Sequence, residues 1–325
     1  MPPTAFDPLD LKLLQALELD ARAPFSRIAA VLGVSDQTVA RRYRRLHNTV
    51  NLRVLGLTDE TRVGGQTWIV RLHCTPDVAG RLAHALAKRP DTLYVTVISG
   101  GTEVICGMKP RSRRERDELL LDRIQRTPQV VSVSAHCLLH RFYGDIMLSW
   151  LNKNTALDPE QLAALRPPAP APSADPVTLD PGDETLLAVL RDDGRATLAE
   201  LQKATGQTES AVKRRLESLR ATGVLYFAVD YDPEPLGHGV AAMLWLTVTP
   251  GALADVGQAL AEHPEVRFAA ATTGAANIIA AGLFRSPDHL YTYLNQQIGT
   301  LSSIQTAETA LVLRQVKQLA YQPNH

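Results

Sequence analysis

FDPLDLKLLQAL at Phe6–Leu17 returns as LDPGDETLLAVL at Leu179–Leu190, 173 positions later. SDQTVARRYRRL (Ser35–Leu46) comes back at the same offset as TESAVKRRLESL (Thr208–Leu219). Thr75-Pro76 and Pro90 reappear as Thr249-Pro250 and Pro264, at an offset of 174. A constant offset through motifs of unlike character means that a whole two-part unit is duplicated, because a period this long marks repeated domains and not a solenoid.

The front of each copy has helical periodicity. Leu9, Leu13, Leu14 and Leu17 share one helix face, as do Leu186, Leu187 and Leu190. Asp7-Pro8 and Asp180-Pro181 each supply an N-cap followed by proline at the first helical position. The rear of each copy reads strand–helix–strand–strand–helix–strand. In the first, the strands are Trp68–Cys74, Leu93–Ile98, Glu103–Met108 and Val130–Leu139, with helices after Thr75-Pro76 and over Arg113–Arg126. In the second, they are Ala242–Val248, Arg267–Thr272, Asn277–Leu283 and Ser303–Leu313. This is the βαββαβ, ferredoxin-like order, with two helices on one sheet face. The other face needs a partner, and the second copy of the sheet is the obvious one.

The expected fold class is therefore α+β: two tandem copies of a (winged) helix-turn-helix domain plus a ferredoxin-like domain. The expected divisions are 6–55 and 179–229 for the helical domains and 56–145 and 230–322 for the ferredoxin-like ones. Residues 146–178 hold, within Asn152–Leu165, a short helix started at Asp158-Pro159, and then the extended spacer RPPAPAPSADP (Arg166–Pro176).

Composition excludes several classes. The 325 residues are 45% hydrophobic, with no stretch approaching the length of a membrane helix. MPPTAFDPLD lacks the basic and apolar regions of a signal peptide, so a cytoplasmic location is expected. Cys74, Cys106 and Cys137 fall singly in apolar runs and read as reduced core residues. His136 and His140 would stand roughly 13 Å apart along a strand, too far to share a metal. GxGxxG and GxxxxGK are absent. No cofactor, metal site or catalytic residue is expected. Formal net charge is zero, so affinity for a polyanion must come from local patches.

Such a patch exists in Phe25–Leu46. Ala29 allows two helices to cross closely, Gly33 makes the turn, Ser35 caps the second helix and Val39 packs back. Stepping about 100° per residue puts Val39, Tyr43 and Leu46 on one buried stripe. Gln37, Thr38, Arg41, Arg44 and Arg45 point the other way, and Arg42 completes the basic run. Such a face suits a major groove, with N-terminal residues reaching base edges and cations neutralising phosphates. The counterparts are Ser210, Lys213, Arg214 and Arg215, but Glu217 and Ser218 replace Arg44 and Arg45, and Gln202 and Gln207 replace Ala29 and Val34. The first copy is expected to be the main anchor on double-stranded DNA. It lacks a glycine after its reading helix, having Asn48-Thr49-Val50-Asn51-Leu52 where the second has Thr222-Gly223-Val224-Leu225.

The Asp-Pro-x-x-Asp helix, a helix-turn-helix ending in Arg-Arg and a βαββαβ domain together resemble the Lrp/AsnC family of bacterial transcriptional regulators, over both copies. The resemblance implies a sequence-specific DNA-binding regulator, not an enzyme. It also implies sheet-to-sheet pairing of the rear domains, so that the tandem forms an internal pseudo-dimer, with further homo-oligomerisation. In the family, an amino acid or other small metabolite is sensed near a short loop, matched here by Ser99-Gly100-Gly101-Thr102-Glu103 and Thr273-Gly274-Ala275-Ala276-Asn277. The implied effector residues are Ser99, Gly100, Gly101 and Glu103 in one copy, and Thr273, Gly274, Ala275 and Asn277 in the other. The same glycines read equally well as plain β-turns. The two loops should differ, because Asn277 cannot offer the charge of Glu103. Leu236-Gly237-His238 through Met243-Leu244-Trp245 resembles sirohaem decarboxylases of the same architecture, which stand as the enzymatic alternative.

Overall fold

The computed structural model describes residues 6–110, 112–124, 127, 129–144, 156–168, 176–318 and 320–321. The first copy runs α1 (Pro8–Leu19), α2 (Phe25–Leu32), α3 (Asp36–Thr49), β1 (Arg53–Thr58), β2 (Trp68–Cys74), α4 (Ala79–Ala87), β3 (Thr92–Ile98), β4 (Glu103–Met108), α5 (Arg113–Asp117) and β5 (Val130–Tyr143). After α6 (Pro159–Leu165) the second repeats the order. Its elements are α7 (Pro181–Asp192), α8 (Leu198–Thr205), α9 (Glu209–Ala221), β6 (Leu225–Asp230), β7 (Val240–Val248), α10 (Leu253–Glu262), β8 (Val266–Thr272), β9 (Ile278–Phe284), α11 (Pro287–Gln296) and β10 (Ile304–Gln318). Beyond Asp117 the chain winds as a π-helix over Glu118–Arg123, and the rest of the helix expected to Arg126 includes residues outside those described.

These elements group by type and not by copy. One compact unit is Met1–Gly64 with Ser149–Leu236, and the other is Gly65–Leu148 with Gly237–His325. The expected domain edges at 55/56 and 229/230 thus fall inside or against β1 and β6, which stay with the helices.

In the helical unit each copy is a three-helix domain closed on leucines. Asp7 and Asp180 accept from the N–H groups of Asp10 and Asp183 and are bonded back by those carboxylates, a reciprocal capping box at each start. Leu13, Leu14, Leu17, Ile28, Val39 and Leu46 are buried in the first copy, and Leu186, Leu187, Leu190, Leu201, Val212 and Leu216 in the second. The first reading helix ends without glycine because Asn51 takes the left-handed conformation (φ 52°). Asn pays less for that region than other non-glycine residues. In the second copy Gly223 does the same with φ 73°. The two halves join through β1 and β6, which pair antiparallel from Arg53↔Asp230 to Thr58↔Leu225. The helix expected before the proline spacer is present as α6 and packs on the first domain. Leu157 and Leu165 are buried, Gln161 donates to Val31 O at 3.2 Å and Arg27 donates to Ala164 O at 2.7 Å. Residues 169–175 of the spacer lie outside those described.

In the second unit both βαββαβ domains form as expected, with β5 and β10 running on past their expected ends to Tyr143 and Gln318. Those extensions decide how the domains join. β5 crosses to pair with β8, and β10 crosses to pair with β3, so the strands close in the order β10-β3-β4-β2-β5-β8-β9-β7 and back to β10. The sheets therefore meet by edge strands as well as face to face. Each crossing strand delivers a side chain to the other copy's helix–sheet core: Phe142 packs into the second core and Val316 into the first, positions related by the 174-residue offset. The facing core between the sheets holds Ile69, Tyr94 and Ile105 against Met243, Phe268 and Ile279.

Candidate nucleic-acid interface and effector loops

In α3, Ser35 accepts from the Thr38 N–H at 3.2 Å, and Gly33 makes the preceding turn with φ 67°. Val39 and Leu46 are buried, and Gln37, Arg41 and Arg44 are exposed. Thr38 is half-buried, with its hydroxyl 3.0 Å from that of Ser35. In α9, Ser210, Lys213, Arg214 and the opposing Glu217 are exposed.

Three of the expected DNA-binding side chains serve the domain itself. Arg42 binds the carboxylates of Asp7 and Asp10, and Arg45 lies 3.3 Å from Asp10. Arg215 grips Asp183 with two guanidinium nitrogens. Asp10 and Asp183 have fully buried side chains. Burial pushes the Asp183 carboxyl up, but the Arg215 hydrogen bond, the Asp180 N–H and the Arg215 charge outweigh it and hold the pKa below its usual range. Arg42 stands about 60° from Val39 around the helix, at the edge of the buried stripe, so it reaches the first helix and not outward. Arg42 and Arg215 are therefore internal ties, and Arg45 is shared between Asp10 and the surface.

The two helix-turn-helix domains are joined, turn to turn, by a reciprocal pair that the sequence reading missed. Arg22 donates to Gly194 O at 2.7 Å and Ala196 O at 3.0 Å, and Arg195 donates to Ala21 O at 2.7 Å and Ala23 O at 3.1 Å. Arg195 also lies over Phe25, 4.4 Å from its centroid, and 5.7 Å from that of Tyr43 on the reading helix itself. The signal was available: Asp20-Ala21-Arg22-Ala23 and Asp193-Gly194-Arg195-Ala196 stand 173 positions apart. Gly194 is needed where it approaches β1, since a Cβ there would sit 2.8 Å from the Leu55 carbonyl carbon.

The two expected effector loops differ, in a way the sequence only half foresaw. In the first, Ser99, Gly100 and Gly101 have φ of 52°, 69° and 86°, and Glu103 is buried. Its carboxylate accepts from Arg71 Nε at 2.5 Å and lies 3.5 Å from His73 Nδ1. In the second, Thr273 accepts from the Cys137 N–H at 2.8 Å, and its carbonyl lies 2.7 Å from His136 Nδ1. A Cβ on Gly274 would meet that imidazole at 2.4 Å. Thr247 donates to Ala275 O, and the Asn277 amide bonds both backbone groups of Val248, at 2.8 and 2.7 Å. The polar groups of this second loop are thus engaged by the fold. Cys74, Cys106 and Cys137 are free thiols, and no helix among the described residues is long and apolar enough to cross a membrane.

Family models match along the chain in the order of these domains. An AsnC-type helix-turn-helix domain matches residues 6–47, a winged helix-turn-helix DNA-binding domain matches 179–226, and an Lrp/AsnC ligand binding domain matches 241–321. The HTH-type transcriptional regulator FL11 of Pyrococcus horikoshii is 31% identical over 148 residues, 45% of this chain and 97% of that regulator. LrpA of the same organism is 25% identical over 140 residues, 43% of this chain and 99% of its own length. These relatives are archaeal, which widens the bacterial setting that the resemblance suggested. The solved siroheme decarboxylase NirDL superposes with a TM-score of 0.64 over 98% of this chain and 95% of its own, at 13% identity. At that identity the likeness is one of fold alone. With single-unit regulators matched along nearly their whole length by half of this chain, the protein belongs to the Lrp/AsnC family of helix-turn-helix transcriptional regulators, in a two-copy form.

Proposed function

We propose that the protein is a sequence-specific, DNA-binding transcriptional regulator working in the cytoplasm, with one chain presenting two unlike reading helices. The observation that carries this is the Arg22/Arg195 exchange, which binds the two helix-turn-helix domains into one unit. Gln37, Thr38, Arg41, Arg44 and the free side of Arg45 serve the first half-site, and Ser210, Lys213 and Arg214 the second. Glu217 repels phosphate, so the second half-site binds more weakly and the operator need not be a good palindrome. The first loop, around Glu103, is the better candidate for a small-molecule effector, because it keeps a carboxylate, although one paired with Arg71, where the second loop has the uncharged Asn277 amide bound to Val248. Association of whole chains through the second unit is part of the same reading.

The test is a salt titration of DNA binding by anisotropy. Removing one cation that neutralises a phosphate should lower the log–log salt slope by about 0.9. Arg41→Ala/Arg44→Ala should cost more affinity than Lys213→Ala/Arg214→Ala. Equal losses would remove the asymmetry, and a purified chain that ignores DNA at low salt would remove the regulator reading. The decarboxylase alternative has the shared fold in its favour, and it is checked by incubating the chain with sirohaem and looking for product.

A further inference from the structure

Duplication has placed unlike side chains at equivalent points of the second unit. Arg71, midway along β2, corresponds at an offset of 174 to Trp245 in β7, Glu103 to Asn277, and Ser134 to Glu308. The unlike partners meet. The Arg71 guanidinium lies 4.3 Å from the Trp245 ring centroid. Its Nε donates to Glu103 at 2.5 Å and its Nη2 donates to Glu308 at 2.6 Å. Trp245 and Glu308 are paired across β7 and β10, which fixes the aromatic face beside one carboxylate. Glu103 comes from the other copy, and its side chain is only 8% exposed.

A flat aromatic face with two carboxylates at its edge is the recognition set for a planar or alkyl cation. Here two carboxylates flank one guanidinium, with His73 beside them, 3.5 Å from Glu103. The duplicate positions do not form a second set, since they hold Arg71 itself, Asn277 and Ser134.

We propose that Glu103, Trp245 and Glu308 form a binding cage for a guanidinium-type organic cation, which the chain keeps filled with its own Arg71. This goes beyond the effector reading of the first loop, and it is independent of DNA binding. A tethered occupant acts at an effective concentration on the order of millimolar or above. An external cation must outcompete it, so the unmodified chain responds only weakly while a chain lacking the arginine head responds readily.

The experiment uses the full-length chain without DNA. Thermal unfolding of Arg71→Ala and of the longer, neutral Arg71→Gln is followed with methylguanidinium chloride up to about 10 mM, against sodium chloride at equal ionic strength. Arg71→Ala should gain about 2–4 °C from methylguanidinium over the salt control, Arg71→Gln less, and the unmodified chain a small fraction of that gain. Adding Trp245→Leu to Arg71→Ala should abolish the gain. No gain in Arg71→Ala, an equal gain in the unmodified chain, or a gain that survives Trp245→Leu each overturns the cage. If Arg71→Ala does not fold, recovery of folded protein with methylguanidinium present supports the cage, and no recovery overturns it. Failure here leaves the DNA-binding reading standing, because DNA takes no part in the measurement.

Discussion

Gly257→Ala isolates the strand exchange. Gly257, on the buried side of α10, faces Phe142 from the crossing end of β5, and an added Cβ would come within 2.3–2.4 Å of three ring atoms. The equivalent pair in the other copy, Ala83 and Val316, shares one core with a methyl on the helix and a smaller side chain on the strand. Each half thus solves the same volume differently, glycine with phenylalanine and alanine with valine. Inserting a methyl into such a core costs about 1–3 kcal/mol. Because Phe142 is only partly buried and its ring can swing, the lower half of that range is expected. Phe142→Val alone should cost about 1–2 kcal/mol for the lost ring. The two changes together recreate the first copy's arrangement, so the double variant should be more stable than the sum of the single losses by at least about 1 kcal/mol. Urea unfolding of the four chains measures that coupling. Strict additivity would refute the claim that Phe142 occupies the space above Gly257.

Three further expectations concern the helical unit. Burial of Asp230 raises its carboxyl from 3.8 to about 7 although Arg53 opposes the shift. The folded state therefore favours the neutral acid, and stability should decline as pH rises from about 4 to about 7, by about 4 kcal/mol in all. Asp230→Asn should remove that decline, and parallel pH profiles for the two proteins would exclude Asp230 as its source. Arg42→Ala should lose about 1–3 kcal/mol of stability with an unchanged salt slope for DNA, whereas Arg41→Ala should lower the slope by about 0.9 and leave stability within about 0.5 kcal/mol. Arg22→Ala/Arg195→Ala should weaken binding to a two-half-site operator more than to either half-site alone, measured by anisotropy, and equal weakening would show that the arginines do not set the spacing.

Much of this molecule was legible in the chain because the signals are local. An Asp-Pro pair sets a helix start through its own cap, Gly33 makes its turn through backbone freedom, and alternation over Trp68–Cys74 gives a strand through the pleat. A repeated offset then extends each reading to the other copy. Three-dimensional packing decided what depends on residues distant in sequence. Arg42 and Arg215 looked like DNA-binding groups because they continue a basic run, and the run does not show that Asp10 and Asp183, on another helix, hold them. Glu103 looked like a vacant carboxylate because Arg71 reaches it only once β2 and β4 have paired, and Trp245 meets that guanidinium only once β2 and β7 face each other. The grouping of domains by type likewise follows from β1–β6 pairing and the exchange of β5 and β10, which join segments about half the chain apart. Periodicity carries a residue's preference for inside or outside, while the partner that satisfies a charge is settled only when the whole chain has closed around it.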